Sequence, residues 1–132
     1  MTIPGAVSSL VSIAPVFLTM RHLDDRVSFF MEDFVDIQYV LNGIVFVWNQ
    51  QKAQSNQQKH DGITFEQAAE VFFDPFVKIV DASQELEARE AAIGLDCKWN
   101  LLFVVHVIRE DERIRIISAR RATRQERKDY EI

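Results

Sequence analysis

From Ile37 onward the apolar residues fall into short runs divided by turn residues, and the spacing of each run predicts an element. Ile37-Gln-Tyr-Val-Leu41 and Ile44-Val-Phe-Val-Trp48 flank Asn42-Gly43, a turn pair that favours a tight β-hairpin. Asn49 then suits the N-cap of a helix over residues 50 to about 60, closed by Asp61-Gly62, where glycine accepts a left-handed helix end. That helix has almost no apolar stripe. Apart from Ala53 it consists of Gln, Lys, Ser, Asn and His, so it reads either as a solvated face or as a working surface, with Lys52, Asn56 and Lys59 stacked on one side. Thr64-Phe-Glu-Gln67 is a capping box that opens a second helix, whose apolar face is Phe65, Ala68, Ala69 and Phe72 and which Asp74-Pro75 stops. Residues 76–80 and 89–94 predict strands. Residues 101–108 are apolar on both alternating faces, as in a central strand covered on each side. Residues 113–118 predict the last strand, and Thr123-Arg-Gln-Glu126 is a second capping box opening a short terminal helix.

The predicted order is β-β-α-α-β-β-β-β-α. Consecutive strands joined by short turns favour antiparallel pairing, so the fold class expected is α+β, an antiparallel curved sheet with two N-terminal-side helices and a short C-terminal helix. Residues 1–34 sustain no period and read as a poorly specified N-terminal extension, with Met31 offering a later translation start. The domain is expected over residues 35–132. The apolar run at residues 7–18 is too short, and too broken by Pro15, to span a bilayer, and it lacks the basic flank of a signal peptide.

With 48% hydrophobic residues and ten Phe among 132, the chain has material for one core. Its formal charge of −5 argues against a general nucleic-acid coat, because such binding comes from neutralising phosphates. The charge is unevenly spread. Residues 98–132 hold nine Lys or Arg against six Asp or Glu, whereas residues 1–97 hold six against fourteen, which points to a local polyanion-binding patch in the C-terminal part. Cys97 stands alone, so neither a disulfide framework nor a cysteine zinc site is expected, and a reducing cytoplasm fits. There is no P-loop, Gly-rich dinucleotide motif or His-Glu-x-x-His, so no cofactor or metal is implied.

Phe46-Val-Trp48-Asn-Gln-Gln-Lys52, Asn56-Gln-Gln-Lys59-His60, Gly62-Ile-Thr-Phe65-Glu-Gln-Ala68 and Phe72-Phe-Asp74-Pro75 follow one another in a fixed order. Arg89 before Ile93-Gly94, then Arg115-Ile-Ile-Ser118-Ala-Arg120-Arg-Ala-Thr-Arg124-Gln-Glu126-Arg127 with Tyr130, complete it. In these residues the chain resembles the BrnT family, toxins of bacterial toxin–antitoxin pairs with a RelE-like ribonuclease fold. It departs from the family in the Asp61 inserted between His60 and Gly62 and in the length of chain before Phe46. The resemblance implies an endoribonuclease that arrests translation, held by a DNA-binding BrnA-type antitoxin that buries the active surface and represses the shared operon with it. Its expected partners are therefore that antitoxin, an RNA substrate and, through the complex, operator DNA, with no membrane.

Metal-free RNA cleavage uses the 2′-hydroxyl as nucleophile, so the protein must orient the strand, move protons and stabilise the charged phosphorane. The planar, permanently charged guanidinium suits the last task, which makes Arg89, Arg115 and Arg120 candidates; ordinary ion pairs explain them equally well. His60 is a proton-transfer candidate or a helix-end cation, and Tyr130 is a phosphate or base contact or a packing ring. The catalytic set is thus His60, Arg89, Arg120 and Tyr130, and the RNA-binding set Lys52, Lys59, Arg115, Ser118, Arg121 and Arg127. Regular alternation places Arg113 and Arg115 on one strand face and Ser118 and Arg120 on the other; a bulge at Ile116-Ile117 would bring them together. His106 reads as a satisfied core histidine, Glu126 as a cap, and Trp48 and Trp99 as packing residues. Two other functions remain open: a non-catalytic relative that only binds an antitoxin or operator DNA, and a small interaction module with an acidic N-terminal half.

Overall fold

A computed structural model describes residues 10–12, 35–84, 87–109 and 111–132. Strand β1 (Leu10–Ser12) is followed by β2 (Asp36–Leu41) and β3 (Ile44–Asn49), then helices α1 (Gln50–Lys59) and α2 (Phe65–Val71). Strands β4 (Lys78–Asp81), β5 (Glu90–Leu95), β6 (Leu101–Ile108) and β7 (Ile114–Arg121) follow, and α3 (Arg124–Glu131) ends the chain. The strand order across the sheet is β1-β2-β3-β7-β6-β5-β4. Of the extension, Leu10–Ser12 pairs antiparallel with β2, and the rest, Met31 and residues 21–26 included, lies outside the described residues.

The local signals act as their chemistry requires. Asn42 and Gly43 both take positive φ, 51° and 83°, the twist that lets a two-residue turn join β2 to β3. The Asn49 side chain accepts from the Lys52 amide at 2.9 Å, and both capping boxes close, Thr64 with Gln67 and Thr123 with Glu126. At the end of α1 Asp61 takes φ 56° and Gly62 φ 74°, so the helix closes in a left-handed turn.

The sheet is mixed, which corrects the expected antiparallel one. The β2–β3 hairpin and the β4–β7 meander are each antiparallel, but they meet along a parallel seam, Phe46↔Ile114 and Val47↔Arg115. Short-turn logic governs neighbours in sequence and has no purchase on two strands separated by the rest of the fold. Helices α1 and α2 cover one face, where Phe46, Trp48, Phe65, Leu102, Val104, Ile116 and Ala119 are buried. Trp48 meets Phe65 edge-on with centroids 5.7 Å apart, and Phe46 meets Phe72 at 5.4 Å. Gly94 lets α2 lie close on β5, since a Cβ there would come within 2.9 Å of Val71 Cγ1.

Asn56 corrects the reading of α1 as a purely solvated or working face. It is 6% exposed and clamps the helix to the sheet: Nδ2 donates to the carbonyls of Ala119 (2.8 Å) and Ile63 (3.2 Å), and Oδ1 accepts from the Ala119 amide (3.1 Å). A helix with little apolar side-chain area is held through backbone groups of β7 instead.

Candidate functional site

Strand β7 carries three of the candidate cations, Arg115, Arg120 and Arg121, and its register decides where they point. Val105 pairs with Ser118, but His106 pairs with Ile116, so Ile117 is the extra residue of a β-bulge. The bulge keeps Ile116 and Ala119 together in the helix-covered core and leaves Arg115, Ser118 and Arg120 on the opposite face. On that face Arg115 lies beside Val107 of β6 and Val47 of β3, and Val47 beside Gln38 of β2.

The face has two ends. At one, Arg115 Nη2 pairs with Asp36 Oδ2 at 2.7 Å, and a groove of ≈ 440 Å³ runs past Gln38, Val47, Arg109 and Arg113. Arg89 belongs to this end. Its carbonyl accepts from the Ala82 amide, continuing the β4–β5 ladder, so alternation with Ala91 places it on the Arg115 face. It lines a second groove, ≈ 370 Å³, with Val107, Glu90 and His106, and its guanidinium holds Glu87 Oε1 at 2.5 Å. Arg89 and Arg115 thus flank Val107 from either side, two strand spacings or about 10 Å apart at the backbone.

The other end is covered by α3. Arg120 stacks its guanidinium 4.2 Å from the centre of the Phe103 ring and forms a two-pronged pair with Glu126, 2.8 and 2.9 Å. Hydrogen bonding to Glu126 raises the Arg120 pKa against the opposing effect of burial. Burial pushes the Glu126 carboxyl up, but the bonds from Arg120 and Thr123 outweigh it and leave the carboxyl below its ordinary value. Glu126 is therefore cap and ion-pair partner together. Tyr130 Oη donates to Asp74 Oδ2 at 2.6 Å; burial and that bond push its pKa up to about 12, so the phenol stays protonated.

The four catalytic candidates do not converge. The ladder partners of Arg115 and Arg120, Val107 and Phe103, are four residues apart, about 13 Å of strand. Tyr130 is engaged with Asp74, and His60 caps α1 on the other face of the sheet, where neighbouring Asp61 lies 3.6 Å from Arg121. Arg121 also donates to Asn100 at 3.0 Å. Lys52, Lys59 and Arg127 are placed on helix surfaces, Lys52 and Lys59 exposed on α1 and Arg127 exposed on α3. What the structure does bring together is Arg89, Arg115, Arg109 and Arg113 at one end of one face.

His106 is 1% exposed, its ring edge-on to Phe72 with centroids 4.7 Å apart and its Nδ1 3.2 Å from the Val104 carbonyl. Burial lowers its pKa, against the pull of Val104 and Glu90. Its Nε2 is nevertheless 3.5 Å from Glu90 Oε1, beside Arg89, a proximity that sequence spacing concealed because residues 90 and 106 meet only through the β5–β6 ladder. Trp99 corrects another expectation: it is 81% exposed and has φ 66°, whereas Trp48 is in the core. Among the described residues no group of three or more His, Cys, Asp or Glu is arranged to hold a metal ion, and no helix is long and apolar enough to cross a membrane.

The α+β scaffold thus carries Arg89, Arg113, Arg115 and Arg120 over one sheet face, each paired with a carboxylate. The family model described as "Ribonuclease toxin, BrnT, of type II toxin-antitoxin system" matches residues 48–126, and the chain belongs to that family. A search of curated proteins found no match.

Proposed function

We propose that the chain is a metal-independent endoribonuclease toxin that arrests translation by cutting RNA on the arginine face, within a RelE-like fold. The observation that carries this reading is the placement of Arg89 and Arg115 on either side of Val107, on one face of the sheet. Their side chains are long enough to meet over Val107, so one phosphate can take both forks, and the charge of a phosphorane formed by 2′-hydroxyl attack is stabilised there. Glu87 and Asp36, the carboxylates paired with Arg89 and Arg115, are the ones beside this centre; one of them, released from its arginine by the phosphate, takes the 2′-hydroxyl proton as the P–O5′ bond breaks and the 5′-oxygen is protonated by water. Arg120, about 13 Å along β7, serves the flanking strand rather than the scissile phosphate, with Ser118 between. His60, Tyr130, Lys52, Lys59, Arg121 and Arg127 lie away from this centre and act, if on RNA, through more distant phosphates.

In this reading the chain works in the cytoplasm and is held by a BrnA-type antitoxin, the pair contacting operator DNA through the antitoxin. Membership of a type II toxin–antitoxin family supports the antitoxin partner. The test is cleavage of a fluorescent mixed-sequence RNA in EDTA, beside the same strand with 2′-deoxy sugars. Cutting of the RNA alone is expected, leaving a 2′,3′-cyclic phosphate. Cutting of both strands, or activity abolished by EDTA, contradicts the proposed chemistry.

A further inference from the structure

On the side of the molecule where α2 ends and β5 turns into β6, the surface has the opposite character to the arginine face. A groove of ≈ 260 Å³ is walled by Phe73, Pro75, Leu95, Cys97 and Trp99, and Phe76 stands beside Pro75. Trp99 is 81% exposed and Phe76 74%, a concentration of large apolar area that soluble surfaces seldom leave without a partner.

The groove is built rather than accidental. Trp99 sits at φ 66°, a costly conformation for a bulky residue, and one carboxylate fixes it there. Asp96 is 5% exposed and accepts from the Lys98 amide, the Asn100 amide, Asn100 Nδ2 and Gln67 Nε2, all between 2.8 and 3.0 Å, while its carbonyl accepts from the Trp99 amide. Burial pushes the Asp96 carboxyl up, and those bonds more than reverse it, leaving the carboxyl below its ordinary value. Opposite, Asp74 pins Phe76, Leu95 and Tyr130 together. The indole is thereby presented on a rigid loop.

Charge selects the occupant. Among the described residues that line the groove Glu70, Asp74 and Asp96 are acidic and none is basic, with Lys98 the one cation next to them in sequence, so a phosphate backbone is disfavoured and a cationic peptide attracted. We infer that this acidic, aromatic groove is where the antitoxin anchors, through a segment that sets an apolar side chain against Trp99 and Phe73 with Lys or Arg beside it. The inference rests on the toxin–antitoxin reading and sets the antitoxin's anchor apart from the RNA face, which departs from the expectation, drawn from the resemblance, of an antitoxin held by the active surface itself. Exposed aromatics framed by polar residues are typical of the few positions that dominate an interface.

The experiment measures binding of the antitoxin encoded with the chain, by calorimetry, to the parent, to a Trp99→Ser/Phe76→Ser variant and to an Arg89→Ala/Arg115→Ala variant. RNA cleavage and sedimentation are followed in parallel, with circular dichroism as the folding check. Both replaced aromatics are mostly solvent-exposed, so the fold is retained. Antitoxin affinity should fall about tenfold or more in the aromatic variant, with RNA cleavage unchanged, and should persist in the arginine variant. Unchanged affinity overturns the inference. So does a loss of RNA binding, which would make the groove a base-stacking platform, or a loss of self-association, which would make it an interface between copies. A parent that binds the antitoxin through the groove but cuts no RNA leaves the inference standing and removes only the nuclease reading.

Discussion

Asn56 shows how much a single polar side chain can hold. Replacing it with Ala would leave the Ala119 amide and two carbonyls without partners inside a buried contact, at a cost of about 3 kcal/mol, read as a lowered midpoint in urea unfolding. Tyr130 makes a prediction in pH. Its pKa is raised from the model-compound value of 10.0 to about 12, so the folded state favours the neutral phenol. The stability this contributes is fully present below pH ~10 and lost as pH rises through about 12, whereas that of Asp74, whose carboxyl is held low, is lost only as pH falls through its folded value. Tyr130→Phe should remove the Tyr130 share of the alkaline loss, leaving that of Tyr39 and Cys97, and should also weaken the acid part, because the Tyr130 hydrogen bond is the main influence holding the Asp74 carboxyl low. Asp36 competes with phosphate for Arg115, so Asp36→Asn should tighten RNA binding, by about fivefold at most for a half-exposed pair, as measured by fluorescence anisotropy.

At the scale of elements, the sequence spoke clearly wherever structure depends on neighbours a few residues apart. The Asn42-Gly43 turn, both capping boxes, the Asn49 cap and the 101–108 strand stand where local chemistry puts them. Non-local pairing was silent in the sequence. The parallel β3–β7 seam, the Glu90–His106 contact and the meeting of Arg89 with Val107 depend on which strands become neighbours. The bulge stands between these cases: the doubled isoleucine hinted at it, but only the register shift assigns Ile117 as the extra residue. Exposure of Trp99 was hidden for a different reason, because an aromatic in a turn reads as packing until its backbone conformation is seen. Strand β7 allows a prediction of its own. Inserting one Ala between Ile117 and Ser118 would turn Arg120 toward the helix-covered core, and a marked loss of the cooperative unfolding transition is expected.

Over the whole molecule, two surfaces differ in character, one of arginines paired with carboxylates and one of aromatics with an acidic lining. The net charge of −5 limits how far any polyanion is attracted, so in the proposed function recognition of RNA comes from placed guanidinium groups rather than from the overall field. The central claim is that Arg89 and Arg115 act on the same phosphate. It is tested most directly by single-turnover RNA cleavage in EDTA with the parent, Arg89→Ala, Arg115→Ala and the double variant, each shown to be folded. If the claim holds, either single change removes most of the cleavage, by about a hundredfold or more as for a lost transition-state donor, and the double variant is little worse than the singles. Cleavage that survives both changes, or losses that simply multiply, would contradict it.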